Sequence, residues 1–402
     1  MKSISKTTSA VPKSKDRAET LKDLRDLKMA RSAHAYVRGN TAQFYAWLSS
    51  HEDAIPDGPP VWICGDCHIG NLGPIANAKG NVVVEIRDLD QTVIGNPAHD
   101  LIRLGLSLAS AARGSDLPGV LTSRMLEDMI DGYEQAFGDD ADREMPETIR
   151  TAVMVAMNRK WSELAKERMG GRLSIPLGKK YWPLTKLERK AVEALFQTEK
   201  LRRMVTSLRD RDADARLEVV DAAYWVKGCS SLGNLRLAVL VAIDGDELCL
   251  MDVKEAIAPL APHYRGADMP VDNGERVATG AWHLSPSLGD RIVAAPLLDR
   301  SVFVRELMPQ DLKFQIEHLT AEEACAVAHF LAGVVGKAHA RQMDSPTKAK
   351  WLRTLQSRRP RDFDGPTWLW VSVVDLLMLH EGAYLGHCRQ YSRQQAGLST
   401  DR

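Results

Sequence analysis

The sequence that decides the fold is Gly-Asp-Cys-His-Ile-Gly-Asn at residues 65–71, followed by Ile-Arg-Asp-Leu-Asp at residues 86–90. A short apolar strand is expected immediately before the first segment. Between the two, residues 72–90 predict a hairpin, with a turn rich in Asn and Gly and a second strand of β-branched residues. The arrangement is specific: an Asp is followed by an Asn five residues later, then by a hairpin, and then by an Asp at the end of a β-run.

This arrangement supplies the groups that phosphoryl transfer requires. A carboxylate must lie near the attacking hydroxyl, and oxygen ligands must hold magnesium against the phosphates. Asp66 suits the first role, and Asn71 and Asp88 suit the second. Each Asp alone is more simply interpreted as an Asx turn or an acidic cap. The combined pattern favours the catalytic interpretation.

Two further segments are candidates for binding phosphates. Residues 228–233 form a Gly-rich turn between two β-runs, where backbone amides could approach phosphates closely. The candidate residues of this turn are Gly228, Ser230, Ser231 and Gly233. Lys254 follows about 20 residues later, on the next strand but one, and a lysine there can reach the α- and β-phosphates. Taken alone, these features indicate only a hairpin turn and a solvated lysine.

The remaining sequence predicts a small β-rich lobe inserted between two largely helical parts. Helices are expected before the lobe at residues 16–50, 97–113, 117–136, 146–168 and 185–209. Residues 217–254 alternate short β-runs with turns, as in an antiparallel meander. A helix at 272–284 and a strand at 301–307 complete this lobe. A capping box then begins a helix at 321–342, and a last helix covers 366–395.

Composition excludes several classes of function. The chain has 402 residues, enough for two or three domains, and its 53 basic residues balance 53 acidic ones. A long-range positive field for nucleic acid is therefore not expected. No stretch of about 18 apolar residues predicts a membrane span, and no apolar segment near the N-terminus predicts a secretory signal. Six irregularly spaced cysteines fit a reduced, cytoplasmic protein.

The quoted segments resemble known families. Residues 65–71 are similar to the catalytic loop of aminoglycoside and choline kinases, Gly-Asp-x-His-x-x-Asn, and residues 86–90 are similar to their metal-binding segment. From about residue 31 to 385, the chain also resembles a bacterial family of uncharacterised proteins, domain of unknown function 2252. Pieces that carry this second resemblance lie at residues 36–39, 228–233, 253–256 and 336–340.

The resemblance implies ATP and Mg²⁺ as cofactors and assigns roles within the chain. The implied catalytic residues are Asp66 and His68, with His68 orienting Asp66 or the loop. The implied metal ligands are Asn71, Asp88 and Asp90. The implied nucleotide-binding residues are Gly228, Ser230, Ser231, Gly233 and Lys254. Glu275, on the helix at 272–284, is the geometric choice for the acidic partner of Lys254, because Glu255 is adjacent to Lys254 and would point the other way on a strand. Asp100 is expected to cap the helix that begins at Pro97 and to brace the catalytic loop.

These parts occur in permuted order, because kinase-like proteins have the Gly-rich loop and lysine before the catalytic loop. The expected fold is α+β: a two-lobed, circularly permuted protein-kinase-like fold with a small antiparallel β lobe and a larger helical lobe. Permutation is tolerable where chain termini are close and exposed. The expected regions are a disordered arm at 1–15, the first part of the helical catalytic lobe at 16–216, the β-rich nucleotide lobe with its hinge at 217–310, and the second helical part at 311–402.

The expected function is ATP- and magnesium-dependent phosphotransfer to a hydroxyl acceptor, either a small molecule or a protein. A nucleotide-binding pseudokinase is the first alternative, because Ser230 stands where a third glycine is expected and Thr279 where the helix would carry Glu. Transfer of AMP is the second alternative. Residues 64–68 also fit the haem-attachment pattern C-x-x-C-H and a C-x-x-C metal or redox site. The chain shows no export signal and no second cysteine pair, which disfavours both.

Overall fold

The computed structural model describes residues 11–114, 118–138, 145–171, 173–229, 232–312, 314, 320–358 and 367–395. Over these ranges the chain is a mixed α+β protein with small antiparallel sheets, which confirms the predicted class at this level. The strands are β1 (Val61–Ile63), β2 (Leu72–Ala76), β3 (Val82–Ile86), β4 (Val93–Gly95), β5 (Tyr181–Trp182), β6 (Leu217–Trp225), β7 (Arg236–Ile243), β8 (Glu247–Glu255), β9 (Ile292–Leu297) and β10 (Arg300–Glu306).

Helices account for the larger share of the regular secondary structure. They are α1 (Arg17–Met29), α2 (Ala33–Gly39), α3 (Thr41–Ser49), α4 (Pro97–Gly114), α5 (Gly119–Gln135), α6 (Glu147–Asn158), α7 (Trp161–Met169), α8 (Lys186–Phe196), α9 (Glu199–Thr206), α10 (Asn273–Leu284), α11 (Pro286–Gly289), α12 (Ala321–Ala340), α13 (Ser345–Ser357) and α14 (Thr367–Gln395). Within the part of the chain that the structure describes, none of them combines the length and apolarity needed to cross a bilayer.

The largest sheet has six antiparallel strands in the order β5-β6-β7-β8-β10-β9. Because side chains alternate between the faces of a strand, its two faces differ. One face is apolar and packs against α8 and α9. Its central residues are Leu237, Val239, Met251, Val253 and Val304. On the other face, Arg236 lies opposite Lys254 in the β7–β8 register, and Arg305 lies opposite Asp252 in the β10–β8 register.

The second core is helical and supports the two small β ladders. Helix α4 is buried along most of its length and contacts α5, α12 and α14. Strand β1 pairs with β4, and β2 pairs with β3, so the segment between β3 and β4 lies at the junction of both ladders. Helices from both ends of the chain therefore surround the segments at residues 65–71 and 86–90.

Several elements differ from the sequence expectations for identifiable reasons. The single helix expected at 16–50 is three helices, because Ser32 and Asn40 cap new helices by accepting from Ala35 N and Gln43 N. Strand β9 was not predicted, because it contains Pro296 and proline is unfavourable inside a sheet. The structure places β9 at an edge of the sheet, where proline is tolerated. Helices α8 and α9 pack on the sheet, although the sequence assigns them to the helical lobe.

Candidate active site

A cleft of about 360 Å³ brings together four of the predicted site residues: Asp66, Asn71, Asp88 and Asp90. Its lining also includes residues from the sheet and from helices near both ends of the chain: Arg25, Asn40, Thr41, Asn234, Glu255 and His387. Residues separated by more than 300 positions in the sequence thus share one cavity. The cleft combines carboxylate and amide groups, which are the hard oxygen donors expected of a magnesium site.

The loop that carries Asp66 is held by a buried carboxylate. Asp100 accepts hydrogen bonds from Cys64 N at 2.7 Å and Gly65 N at 2.9 Å, and His339 Nε2 lies 3.2 Å from it. This bears out the bracing role of Asp100. The start of α4 is capped instead by Asn96, whose Oδ1 accepts from Ala98 N. The expectation that Asp100 caps this helix is wrong, because both of its oxygens bind the loop.

Gly65 is required for the loop conformation. Its φ of +75° lies in the left-handed region, and a Cβ there would meet the carbonyl oxygen of Gln91 at 2.1 Å. Glycine is the residue that reaches this region without steric cost. The residue before Asp66 therefore lets the loop pass directly against the segment that carries Asp88 and Asp90.

Asp66 is buried and paired with an arginine. Its Oδ1 accepts from Arg103 Nε at 2.8 Å, and Arg103 Nη2 also donates to Val37 O. Burial raises the pKa of Asp66, and the positive charge of Arg103 offsets part of that rise. His68 Nε2 lies 4.0 Å from Asp66 Oδ2, which is too long for a hydrogen bond. His68 therefore lies beside the carboxylate, within ion-pair distance when its imidazole is protonated.

Asn71 lies beside Asp66 with its amide fixed. Asn71 Nδ2 donates to Asp66 O at 3.0 Å, and Asn71 O accepts from Arg87 N at 2.7 Å. No described residue donates to Asn71 Oδ1. The fixed amide orientation therefore leaves one oxygen free to bind a cation in the cleft.

Asp88 and Asp90 form a triad with Lys254. Lys254 Nζ lies 3.4 Å from Asp88 Oδ1 and contacts Asp90 Oδ2 closely. Desolvation raises the pKa of Asp88, but Lys254 and Arg305 outweigh it and hold this pKa well below its usual range. Burial and the adjacent charge of Asp88 raise the pKa of Asp90. Two carboxylates that repel each other in this way would be stabilised by a divalent cation.

The donor set fits Mg²⁺. Asp88 is 43% exposed at its side chain and open to the cleft, whereas Asp90 Oδ1 is buried without a hydrogen-bond partner among the described residues. A buried carboxylate oxygen without a partner is costly, and a metal ion would supply one. Together with Asn71 Oδ1, these residues supply oxygen ligands of the kind that Mg²⁺ binds.

The predicted pair between Lys254 and Glu275 is not formed. Glu275 lies in the exposed first turn of α10, and Lys200 Nζ contacts it at 2.6 Å. The buried residues of α10 include Arg276, which donates to Asp90 O at 3.0 Å. The prediction for Glu275 is therefore wrong, because α10 turns its arginine toward the site and Lys254 is already paired with Asp88 and Asp90.

The residue that follows the Gly-rich turn reaches the same cleft. Gly228 O accepts from Lys28 Nζ at 2.8 Å, and Gly233 adopts a φ of +113° that favours glycine. Asn234, directly after the turn, lines the cleft together with Asp66. Ser230 and Ser231 lie outside the described residues.

Arg103 is the site residue that the sequence reasoning missed. It lies three positions after Asp100 on α4, within a run that is otherwise rich in leucine, and only 1% of it is exposed. A fully buried arginine requires a partner, so a lone arginine in an apolar helix was an available signal. Which carboxylate it meets depends on tertiary packing.

The C-x-x-C segment is buried beside Asp100. Ligand atoms of Cys64, Cys67 and Asp100 lie within 4.8 Å of one another. A hydrogen bond with Cys67 and burial both raise the pKa of the Cys64 thiol, which disfavours the reactive thiolate of a redox site. The oxygens of Asp100 already accept from backbone amides.

Fold and site together define a mixed α+β protein with a carboxylate-lined cleft beside a six-stranded antiparallel sheet. The family of domain of unknown function 2252, described as an uncharacterized protein conserved in bacteria, matches residues 17–390. The chain belongs to this family, as its sequence motifs predicted. No curated protein and no solved structure matches it.

Proposed function

We propose that this protein is an ATP- and magnesium-dependent phosphotransferase with a circularly permuted, two-lobed protein-kinase-like fold. The observation that carries the proposal is the contact of Lys254 with Asp88 and Asp90 in the cleft that also contains Asp66 and Asn71. Phosphoryl transfer by kinases uses a lysine on the third strand, a metal-binding aspartate, a second metal ligand and a catalytic aspartate. The cleft, together with Lys254, which contacts two of its carboxylates, supplies a candidate for each.

The order of elements in the sheet supports the kinase-like interpretation. From β6, the chain forms a strand, a Gly-rich turn, a second strand and a third strand that carries Lys254, followed by helix α10. Protein kinases have the same succession of Gly-rich loop, third-strand lysine and helix. Helices α1 and α14 pack together, and His387 Nε2 lies 2.8 Å from Asp26 O. Adjacent end helices are what a circular permutation requires.

In this mechanism the acceptor hydroxyl attacks the γ-phosphorus of ATP, the bond to the β-phosphate oxygen breaks, and the hydroxyl proton passes to Asp66. Burial favours the protonated form of Asp66, which makes it a stronger base than an exposed carboxylate. Arg103 fixes the carboxylate by its Nε hydrogen bond. Magnesium, held by Asn71, Asp88 and Asp90, would neutralise phosphate charge. Lys254 would exchange part of its contact with the carboxylates for phosphate oxygens.

The acceptor is a hydroxyl of a small molecule or a protein, and neither nucleic acid nor membrane is expected as a partner. A cytoplasmic location is supported by the cysteines. All six are free thiols, and four of them are buried. Free thiols persist where the compartment is reducing.

A nucleotide-binding protein without phosphotransfer, or an AMP-transferring enzyme of the same fold, is the second candidate. It is favoured by the position of Glu275, since α10 supplies no carboxylate to Lys254. In active protein kinases a glutamate of that helix pairs with the lysine. In this chain Asp88 and Asp90 take its place.

Labelled ATP separates these activities. The purified full-length protein is incubated with a pool of cell metabolites or with protein and with ATP labelled at either the γ- or the α-phosphate, with and without Mg²⁺. Phosphotransfer predicts transfer of the γ-label only with Mg²⁺. Transfer of the α-label would instead indicate AMP transfer, and tight ATP binding without transfer would indicate a pseudokinase.

The variant Asp88→Asn tests the metal site in the same assay. Loss of a ligand worth several kcal/mol in the transition state should lower turnover at least about 100-fold. Glu275→Gln is the matched control, because it also removes one carboxylate charge, from an exposed position outside the cleft. Equal turnover in Asp88→Asn and the control, with unchanged magnesium dependence, would refute the assignment.

A further inference from the structure

A second, smaller cavity of about 40 Å³ lies next to the cleft and has the opposite charge. We call it the basic chamber. Its charged lining residues are Arg87, Arg159, Arg168, Lys227, Arg291, Arg305 and Asp311. Six cations and one carboxylate therefore face one enclosed space. Nothing in the proposed phosphotransfer mechanism uses them.

Cations reach the basic chamber from several separate elements. Arg305 comes from β10, and Lys227 follows β6 with its Nζ 4.0 Å from the centre of the Trp225 ring. Arg168 comes from α7 and lies 5.7 Å from the same ring. Arg87 directly precedes Asp88, and its carbonyl accepts from Arg305 Nη1 at 2.8 Å. The fold thus gathers like charges that repel one another.

Nearby carboxylates neutralise only part of this charge. Glu167 pairs with Arg159 at 2.7 Å and with Arg168 at 3.1 Å. Asp311 pairs with Arg291 at 2.9 Å, and Asp252 pairs with Arg236 and Arg305 on the charged face of the sheet. Three carboxylates therefore pair with five arginines in and near the chamber. The carboxylates are Glu167, Asp252 and Asp311, and the arginines are Arg159, Arg168, Arg236, Arg291 and Arg305.

Arg87 and Lys227 are left without an ion pair to any carboxylate of the described residues. The Nε atoms of Arg87, Arg168 and Arg305 also have no hydrogen-bond partner there. Burial together with the positive charge of Arg236 lowers the pKa of Lys227 well below its usual value. Buried charges without a counter-charge are destabilising, and an anion would relieve that destabilisation.

We propose that the basic chamber binds one phosphate-type oxyanion. The volume corresponds to about three water-sized spheres, which suits a single tetrahedral oxyanion rather than a nucleoside or a sugar. Arginine presents planar donors that match phosphate oxygens, and charge-assisted hydrogen bonds of this kind are strong. Apolar walls limit competition from water: Ile75, Leu164, Leu288, Leu307 and Met308.

This site goes beyond the proposed function and does not require ATP in the cleft. Because Arg87 of the chamber directly precedes Asp88 of the cleft, the oxyanion has two sources with the same chemistry. It is either a phosphate group of a nucleotide in the cleft or a separate free phosphate.

Isothermal titration calorimetry of the full-length protein with inorganic phosphate, at constant ionic strength and without Mg²⁺, tests the site. Wild type should bind phosphate, and Lys227→Met should weaken binding at least about tenfold, since a hydrogen bond to a charged group is lost. Lys200→Met is the matched control, because Lys200 is exposed and pairs with Glu275. It should bind as wild type does.

The proposal is overturned if wild type binds no phosphate at millimolar concentration, or if Lys227→Met and Lys200→Met bind equally. Should Lys227→Met fail to fold, Arg168→Gln replaces it, with the same tenfold loss expected. Competition identifies the source: displacement of phosphate by ATP assigns the oxyanion to the nucleotide, and simultaneous binding assigns it to free phosphate. Asp88→Asn should retain phosphate binding, so failure of phosphotransfer and failure of this site remain distinguishable.

Discussion

The pair formed by Asp66 and Arg103 allows the catalytic and structural roles of Asp66 to be measured separately. Arg103 is 1% exposed and donates from Nε to Asp66 Oδ1 at 2.8 Å. Asp66→Asn keeps the shape and an acceptor oxygen but removes the negative charge. Breaking a buried ion pair on one side costs about 3–5 kcal/mol, because the remaining charge stays buried. Loss of a general base lowers turnover by about 10²–10⁴-fold.

The double variant Asp66→Asn/Arg103→Met removes both charges. Most of the lost stability should return, since replacing a buried ion pair with apolar groups of similar volume is often neutral. Turnover should stay low, because the base is still absent. Urea unfolding followed by tryptophan fluorescence measures stability, and transfer of labelled phosphate measures turnover. Arg113→Met, near the exposed end of α4, is the control and should change stability by no more than about 0.5 kcal/mol.

Recovery of turnover together with stability in the double variant would refute the catalytic role and leave Asp66 as the counter-ion of Arg103. The pH dependence gives a second measurement. The carboxylate form is active, so turnover should fall as pH is lowered through the pKa of Asp66, which burial raises above the ordinary value of about 3.9. Removing the positive charge in Arg103→Met should shift this acidic limb to still higher pH.

Lys254→Met should weaken ATP binding at least about tenfold in calorimetry, through loss of a contact to charged phosphate oxygens. Unchanged affinity would remove Lys254 from the nucleotide site. In urea unfolding, Gly80→Ala should lower the free energy of unfolding by about 1–2 kcal/mol, and Gly65→Ala should lower it by well over that amount. Both glycines have positive φ, but only at Gly65 would the added Cβ also meet a backbone oxygen, that of Gln91. Equal effects would contradict the proposed packing of the loop.

Much of the local structure was predictable, because local chemistry determines it. The hairpin of β2 and β3 follows from its turn residues and β-branched strand, and the start of α12 follows from the capping box at Thr320 and Glu323. The grouping of Asp66, Asn71 and Asp88 in one cleft was also expected from their spacing.

The remaining features depend on packing between distant segments. Arg103 was visible as an unusual residue, but its meeting with Asp66 depends on how α4 lies against the loop. Likewise, periodicity predicted α10 but not its rotation, which turns Arg276 inward and leaves Glu275 at the surface. The basic chamber is lined by six cationic side chains, none of which indicates a binding site in the sequence by itself. Only the fold brings them together.

The hydrogen bond between Asp100 and His339 also sets the timing of assembly during synthesis. These residues are 239 positions apart, so the ribosome needs roughly 12–48 s between them at bacterial rates of 5–20 residues per second. Throughout that interval the loop at residues 65–71 lacks the support of α12, while the strands of the sheet emerge and can pair. The nascent chain therefore carries an unfinished cleft until nearly its last helices are made, and until then the surfaces of α4 and α5 that α12 covers stay uncovered.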